Sequence, residues 1–212
     1  MKPLLKSTSE KVYSLSEYFA LETANRETKY EYLDGDVVAM AGAQPEHNSI
    51  CANLIREIGN QIIKRKKPCR VYPSDQRVKS ELKASGKLGY FYPDVTVVCG
   101  KPEFADDNPK TLLNPTVVIE VLSDSTYQYD FNEKRLYYAA QASVQEMLFI
   151  NYEKLGVVQV SRDGEAWRIV DYQSLKEKIA LRSIGIELPM KEVYREVSFQ
   201  KSNKKGIKTI VR

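Results

Sequence analysis

The sequence predicts an α/β fold of the α+β kind, in which helices flank a mixed β-sheet and β-hairpins lie toward both ends. Three features carry this expectation. Lys29 to Leu33 and Asp36 to Met40 read as strands around Asp34-Gly35, a dipeptide that tolerates positive φ and suits a two-residue turn. From Glu46 to about Lys66 the apolar residues Ile50, Leu54, Ile55, Ile58, Ile62 and Ile63 recur at helical spacing, the pattern of a long amphipathic helix laid on a sheet. Three apolar runs, Cys69 to Val78, Tyr90 to Cys99 and Thr116 to Leu122, then read as strands at the sheet's centre.

The remaining elements follow in chain order. Ser14 to Ala24 reads as a short helix with Ser14 or Ser16 as N-cap and Leu15, Tyr18 and Phe19 on its apolar face. Gly42 and Pro45 separate the first hairpin from the long helix. That helix ends on Lys64, Arg65, Lys66 and Lys67, with Arg70 close by, and positive charge suits the C-terminal end of its dipole. Asp130 with Glu133 three residues on reads as the N-cap of a helix running to about Gln141. Glu146 to Tyr152 is a further strand. Gly156 to Ser161 and Ala166 to Tyr172 form a second hairpin through Arg162-Asp163-Gly164-Glu165, and an irregular or short-stranded extension follows. The domain organisation is a polar leader over 1–13, one domain over 14–190 and a tail over 191–212. The tail's last twelve residues hold Lys201, Lys204, Lys205, Lys208 and Arg212 and no acid.

Bulk properties narrow the class. A chain of 212 residues fits one domain with a full core. Hydrophobic residues at 42% and charged residues at 28% are ordinary for a soluble globular protein and exclude wholesale disorder. No apolar run approaches the roughly 20 residues that cross a bilayer, and Met1-Lys2-Pro3-Leu4-Leu5-Lys6-Ser7 lacks a signal peptide's apolar core. A cytoplasmic protein with no membrane partner is expected. Cys51, Cys69 and Cys99 are widely spaced and form no zinc motif, so they read as reduced and mostly buried thiols. A net charge of +4 is too mild to establish a nucleic-acid partner by itself.

One position asks for chemistry. Glu120 interrupts the apolar run Val117-Val118-Ile119-Glu120-Val121-Leu122, where an ionised carboxylate costs several kcal/mol without a partner. Upstream, Tyr92-Pro93-Asp94-Val95 opens another strand-like run. If the two strands are neighbours, Asp94 and Glu120 converge at one edge of the sheet. Carboxylate oxygens of that kind suit Mg2+ (or Mn2+), which keeps several waters and binds one or two carboxylates plus phosphate oxygens. Taken singly, the residues have plainer readings: Glu120 as a structural ion-pair partner, Asp94 as a strand-start acid, and Glu31 as a cross-hairpin partner of a lysine.

Several segments together resemble the Uma-two family, grouped with the PD-(D/E)XK restriction-endonuclease-like nucleases. They are Glu31 before Asp34-Gly35, Met40-Ala41-Gly42-Ala43 with His47, Pro93-Asp94-Val95, Glu120 through Thr126, and Asp130 with Glu133-Lys134 and Tyr138. The resemblance implies a helix-flanked mixed sheet in which Asp94 and Glu120, with the adjoining Val121, hold a divalent metal. The superfamily's lysine two places after the glutamate is absent, because that position is Leu122. Lys134 matches a lysine moved to the following helix. Glu31 matches an additional N-terminal acid, and His47, the only histidine, would contact phosphate or orient a ligand. Asp75, Gln76, Ser123 and Ser125 are the candidate substrate contacts. The implied activity is hydrolysis of DNA phosphodiester bonds by a water activated at the metal, with a homodimer if both strands are cut. Two alternatives stay open: a nucleic-acid-binding or interaction protein that keeps the fold without turnover, and a hydrolase of another phosphoester.

Overall fold

The structure is a computed structural model that describes residues 11–25, 27–40, 42–105, 108–199 and 209–210. Helix α1, Leu15–Ala24, starts at Ser14, whose side chain and that of Glu17 close a capping box. Strands β1 (Tyr30–Leu33) and β2 (Asp36–Ala39) form the expected hairpin, with Asp34 at φ 50° and Gly35 at φ 104° in its turn. Helix α2, Pro45–Lys64, starts with proline in its first turn.

Two of the three predicted central runs are each broken in the middle. Cys69 to Val78 divides into β3 (Cys69–Pro73) and the start of β4 (Arg77–Leu82), and Tyr90 to Cys99 divides into the end of β5 (Lys87–Phe91) and β6 (Val95–Cys99). The breaks fall at Pro73 and Pro93, where proline withdraws a ladder donor, and the halves enter different sheets. After β7 (Phe104–Ala105) and β8 (Asn108–Leu112), strand β9 (Val117–Leu122) is buried along its whole length. A helical segment follows as α3 (Tyr127–Tyr129), a π-helical turn (Asp130–Lys134) and α4 (Arg135–Ala140). It begins three residues before Asp130, which is therefore inside the helix and not its N-cap. Strands β10 (Glu146–Asn151), β11 (Val157–Asp163) and β12 (Ala166–Tyr172) come next. The C-terminal extension is ordered as the hairpin β13 (Lys178–Leu181) and β14 (Ile186–Pro189), helix α5 (Met190–Val193), and β15 (Ser198–Phe199) paired with β16 (Thr209–Ile210). The basic residues of the tail from Lys201 to Lys208, Arg212, and the leader before Lys11 lie outside the described residues.

Two six-stranded mixed sheets result, in the orders β12-β11-β10-β9-β6-β3 and β2-β1-β5-β4-β8-β7. In the first, β9 runs parallel to β10 and antiparallel to β6. Alternation along β9 divides its side chains between two cores. Val117, Ile119 and Val121 face α2, meeting Ile50, Leu54 and Ile58 and the residues Leu188, Met190, Val193 and Tyr194 of the C-terminal extension. Val118 and Leu122 face the other way, toward Phe91, Tyr137, Tyr138 and Met147. Glu120 shares that second face, and this parity decides which side chains it meets.

The expectation of three reduced, mostly buried cysteines is corrected. Register pairs Cys69 with Cys99 across β3 and β6, and the two form a disulfide with Cα atoms 3.9 Å apart. Cys51 alone is free, and all three are half-buried. The basic cluster follows the C-terminal end of α2, with Lys64 in its last turn, Arg65 donating to the Gly185 carbonyl and Arg70 to that of Gly100. Among the described residues no helix is long and apolar enough to cross a membrane.

Candidate metal centre

Ladder pairing joins Val95 to Ile119, so one further step of the antiparallel register sets Asp94 opposite Glu120. The two acids come from the same end of neighbouring strands, as the sequence suggested. Just ahead of β6, Asp94 turns its carboxylate across to β9, where Oδ2 accepts the Val121 N–H at 2.8 Å. Its Oδ1 lies 3.1 Å from His47 Nε2, in the first turn of α2. A strand residue directs its N–H and C=O to the same side, so the Val121 carbonyl points toward Asp94 as well.

Glu120 belongs to the opposite face of β9, where the helical segment after it covers the sheet. Tyr138 donates its hydroxyl to Oε1 at 2.7 Å, and Lys134 Nζ lies 3.5 Å from the same oxygen. Lys134 also meets Glu31 at 2.8 Å and Asp130 at 2.9 Å. Asp130 and Lys134 are four residues apart on one helical face, and the π-helical turn that contains both directs them into the core. Glu31 is further fixed by the Tyr92 N–H at 3.1 Å. The side chains of Glu31, Glu120 and Lys134 are only 4–5% exposed, against 12% for Asp94.

Charge is not balanced here. Glu31, Asp94, Glu120 and Asp130 gather around one lysine and one histidine. Burial pushes Glu120 well above the usual carboxylate range, and although Lys134 pulls it down, Asp130, Asp94 and Glu31 push it up again. Glu31 is raised by burial also, with Lys134 opposing. Burial is the largest single influence on Lys134 and opposes its charge, yet Asp130, Glu120 and Glu31 together hold the amine well above its usual value. His47 behaves alike: burial lowers it, and the Asp94 hydrogen bond and charge raise it further than that. The site is thus a buried cluster of acids around Lys134, and those acids favour its charged form.

Hard oxygen donors with surplus negative charge suit Mg2+ or Mn2+. Asp94, Glu120 and the Val121 carbonyl are the groups that would hold such an ion, so the donor set fits the expected metal.

The other candidates sit in different company. Ser123 and Ser125 share a 2.8 Å hydrogen bond between hydroxyls, and Ser123 accepts the Thr126 N–H, so both build the turn between β9 and α3. Asp75 is held at 2.6 Å by Lys29, and the Gln76 amide donates to the Lys110 carbonyl at 2.7 Å. These partners lie outside the acidic cluster. Two neighbours of the site escaped the sequence. Asp130 looked like a helix cap, though its spacing from Lys134 was a usable signal. Cys51 stands one helical turn after His47, with Sγ 3.7 Å from His47 Nδ1.

The layered α+β architecture is of the restriction-endonuclease-like fold class. A family model described as "Putative restriction endonuclease" matches residues 15–191, and the chain belongs to that family, Uma2. Two relatives from Synechocystis sp. are similar over most of its length. The uncharacterized protein sll1609 is 32% identical over 154 residues, covering 69% of this chain and 83% of its own. The uncharacterized protein slr1290 is 29% identical over 188 residues, covering 88% and 93%. Among solved structures, one described as a "putative nuclease belonging to DUF820" from Anabaena variabilis superposes with a TM-score of 0.66 at 18% identity, covering 86% of this chain and 97% of that one. That likeness is one of fold.

Proposed function

We propose that this protein is a divalent-metal-dependent nuclease that hydrolyses DNA phosphodiester bonds. What supports the reading is that Asp94 and Glu120 stand across the β6–β9 register from one another, near enough for the Asp94 charge to act on Glu120, among more carboxylates than cations. Bound between them, Mg2+ or Mn2+ would lower the pKa of water and neutralise charge growing on the phosphoryl oxygens.

The chain's own residues prepare that task. Asp94 is aimed by His47 and by the Val121 N–H, and Glu120 by Tyr138, so each carboxylate is already oriented by a hydrogen-bonding partner. Lys134 keeps the acids together in a space that water barely reaches. Its three N–H donors face three carboxylates, and the Glu120 contact, at 3.5 Å, is the longest. Were Glu120 engaged by the ion, the third Lys134 N–H would be available to a phosphate oxygen or the attacking water. Lys134 thereby supplies from the helix the charge that Leu122 cannot supply from the strand.

The test is cleavage of duplex and single-stranded DNA with Mg2+ and with Mn2+. Wild type is expected to cleave, and Asp94→Ala and Glu120→Gln to lose at least about 10²-fold in rate, the scale of removing one charge-stabilising group. Inactivity with both metals, or cleavage that survives both substitutions, contradicts the reading. The second reading, a fold that binds nucleic acid without turnover, is favoured by the full occupation of Lys134 by carboxylates. Salt-dependent DNA binding that survives loss of both acids, with no cleavage, is its signature. If both strands are cut, two sites are needed, and a dimer is expected on sedimentation.

A further inference from the structure

The end of α2 nearest Asp94 presents a second kind of donor. His47 and Cys51 stand four residues apart and project from one face of the helix. The imidazole lies between two partners, with Nε2 at 3.1 Å from Asp94 Oδ1 and Nδ1 at 3.7 Å from Cys51 Sγ. One donor atom from each residue can be chosen so that all three lie within 4.8 Å of one another. In a tetrahedral zinc site, with bonds of about 2.0 Å to nitrogen and oxygen and about 2.3 Å to sulfur, neighbouring donors are about 3.3–3.6 Å apart. A modest rotation of the imidazole therefore brings three unlike ligands onto one ion. Tyr152, packed edge-on against the ring at 5.9 Å, closes one side of the position.

We propose that His47, Cys51 and Asp94 form a site for a borderline transition metal, Zn2+ foremost, which competes for Asp94 with the hard-cation centre and so arrests hydrolysis. The arrest rests on the nuclease reading above, whereas the binding stands without it. Thiolate and imidazole are soft and borderline donors that select zinc or cobalt over magnesium, and three protein ligands leave the fourth tetrahedral position to water. A rival reading of the same geometry is a Cys-His-Asp relay that activates Cys51 as a nucleophile. Activated thiols sit in electropositive surroundings. Here burial pushes the Cys51 thiol up, and the charges of Asp94 and Glu120 push it further. These surroundings are electronegative, the opposite of what an activated thiol needs. On coordination the S–H bond is exchanged for an S–metal bond and the proton passes to the buffer. Cys51 is the one free cysteine and His47 the one histidine of the chain, so a spectroscopic signal from either ligand type has a single source.

The experiment uses the full chain without an affinity tag. Competition against a chromogenic chelator should give one Zn2+ per chain for wild type, weakened at least about tenfold in Cys51→Ala and in His47→Ala, and retained in Glu120→Gln. Co2+ should give a thiolate-to-metal charge-transfer band in wild type that is missing from Cys51→Ala, with Cys51→Ser as a second check that folding is intact. In cleavage assays, Zn2+ should arrest the Mg2+-supported reaction of wild type and spare that of Cys51→Ala. Equal zinc affinity in wild type and Cys51→Ala, or no zinc bound at all, overturns the site. Cys51-dependent zinc binding with undiminished cleavage overturns the arrest. Cys51-dependent binding by a protein that shows no cleavage with Mg2+ or Mn2+ upholds the site and removes the nuclease reading instead.

Discussion

Two glutamates sit in the same sheet on adjoining strands, both almost fully buried, and they are built for opposite ends. Glu146, at the start of β10, is met by neutral donors: the Gln159 amide at 3.0 Å, the backbone N–H groups of Arg182 and Ser183 at 3.0 and 3.1 Å, and the Ser183 hydroxyl. Its partners pin the turn between β13 and β14 to the sheet, and its job is complete as it stands. Glu120, in β9, has one hydroxyl and a shared lysine, and the other charges acting on it are acids. Burial is the same in both places, so burial alone does not mark function. A carboxylate ringed by neutral donors is an anchor, whereas a carboxylate among carboxylates is poised for a cation.

That contrast is most sharply broken by exchanging the effects of substitution. Glu120→Gln should abolish DNA cleavage by at least about 10²-fold while raising thermal stability or leaving it unchanged, because a repelling buried charge is removed. Glu146→Ala should do the reverse, costing about 3 kcal/mol in denaturant unfolding through unpaired donors at the β13–β14 turn, with cleavage per folded molecule kept. Lys134→Met should cost about 3–5 kcal/mol, because it leaves three buried carboxylates uncompensated. Mg2+ should return part of that loss in a melting experiment.

pH sharpens the same point. Glu120 holds its proton more tightly in the folded protein than at its usual value of 4.5. Between that value and the raised one the unfolded chain binds fewer protons than the native one, so stability falls as pH rises. Melting temperature should therefore decline from mildly acid toward neutral pH without metal, and Mg2+ should flatten the decline by replacing the proton. Glu120→Gln should remove most of this slope. The smallest effect is expected from Tyr138→Phe, which takes away one hydrogen bond to Glu120. It should cost about 1 kcal/mol of stability and about 10–100-fold in metal affinity, measured by calorimetric titration.

The sequence made much of this legible because its signals are local. Asp34-Gly35 announced the first hairpin, the isoleucine spacing of α2 announced the helix on the sheet, and an acid inside an apolar strand announced Glu120. What stayed hidden depends on register and on which face a residue presents. Cys69 and Cys99 are 30 residues apart, and only the β3–β6 ladder brings them together. The runs 69–78 and 90–99 looked continuous because their apolar pattern carries through Pro73 and Pro93, where the chain changes sheet. Glu146 opens a run as apolar as the one around Glu120, but it stands at the run's start, where the sequence does not show that it is buried as deeply. Asp130 next to Phe131-Asn132-Glu133 has the chemistry of an N-cap, yet the tertiary need to face Lys134 draws it inside the helix.

The central claim, that Asp94 and Glu120 are completed by a hard divalent ion, is tested most directly by crystals soaked in Mn2+ and measured for anomalous scattering. One peak is expected, within about 2.0–2.5 Å of a carboxylate oxygen of Asp94, one of Glu120 and the Val121 carbonyl, and it should vanish in Glu120→Gln. A fully occupied soak elsewhere in the crystal with no peak between these residues, or a peak there that ignores the substitution, would contradict the account.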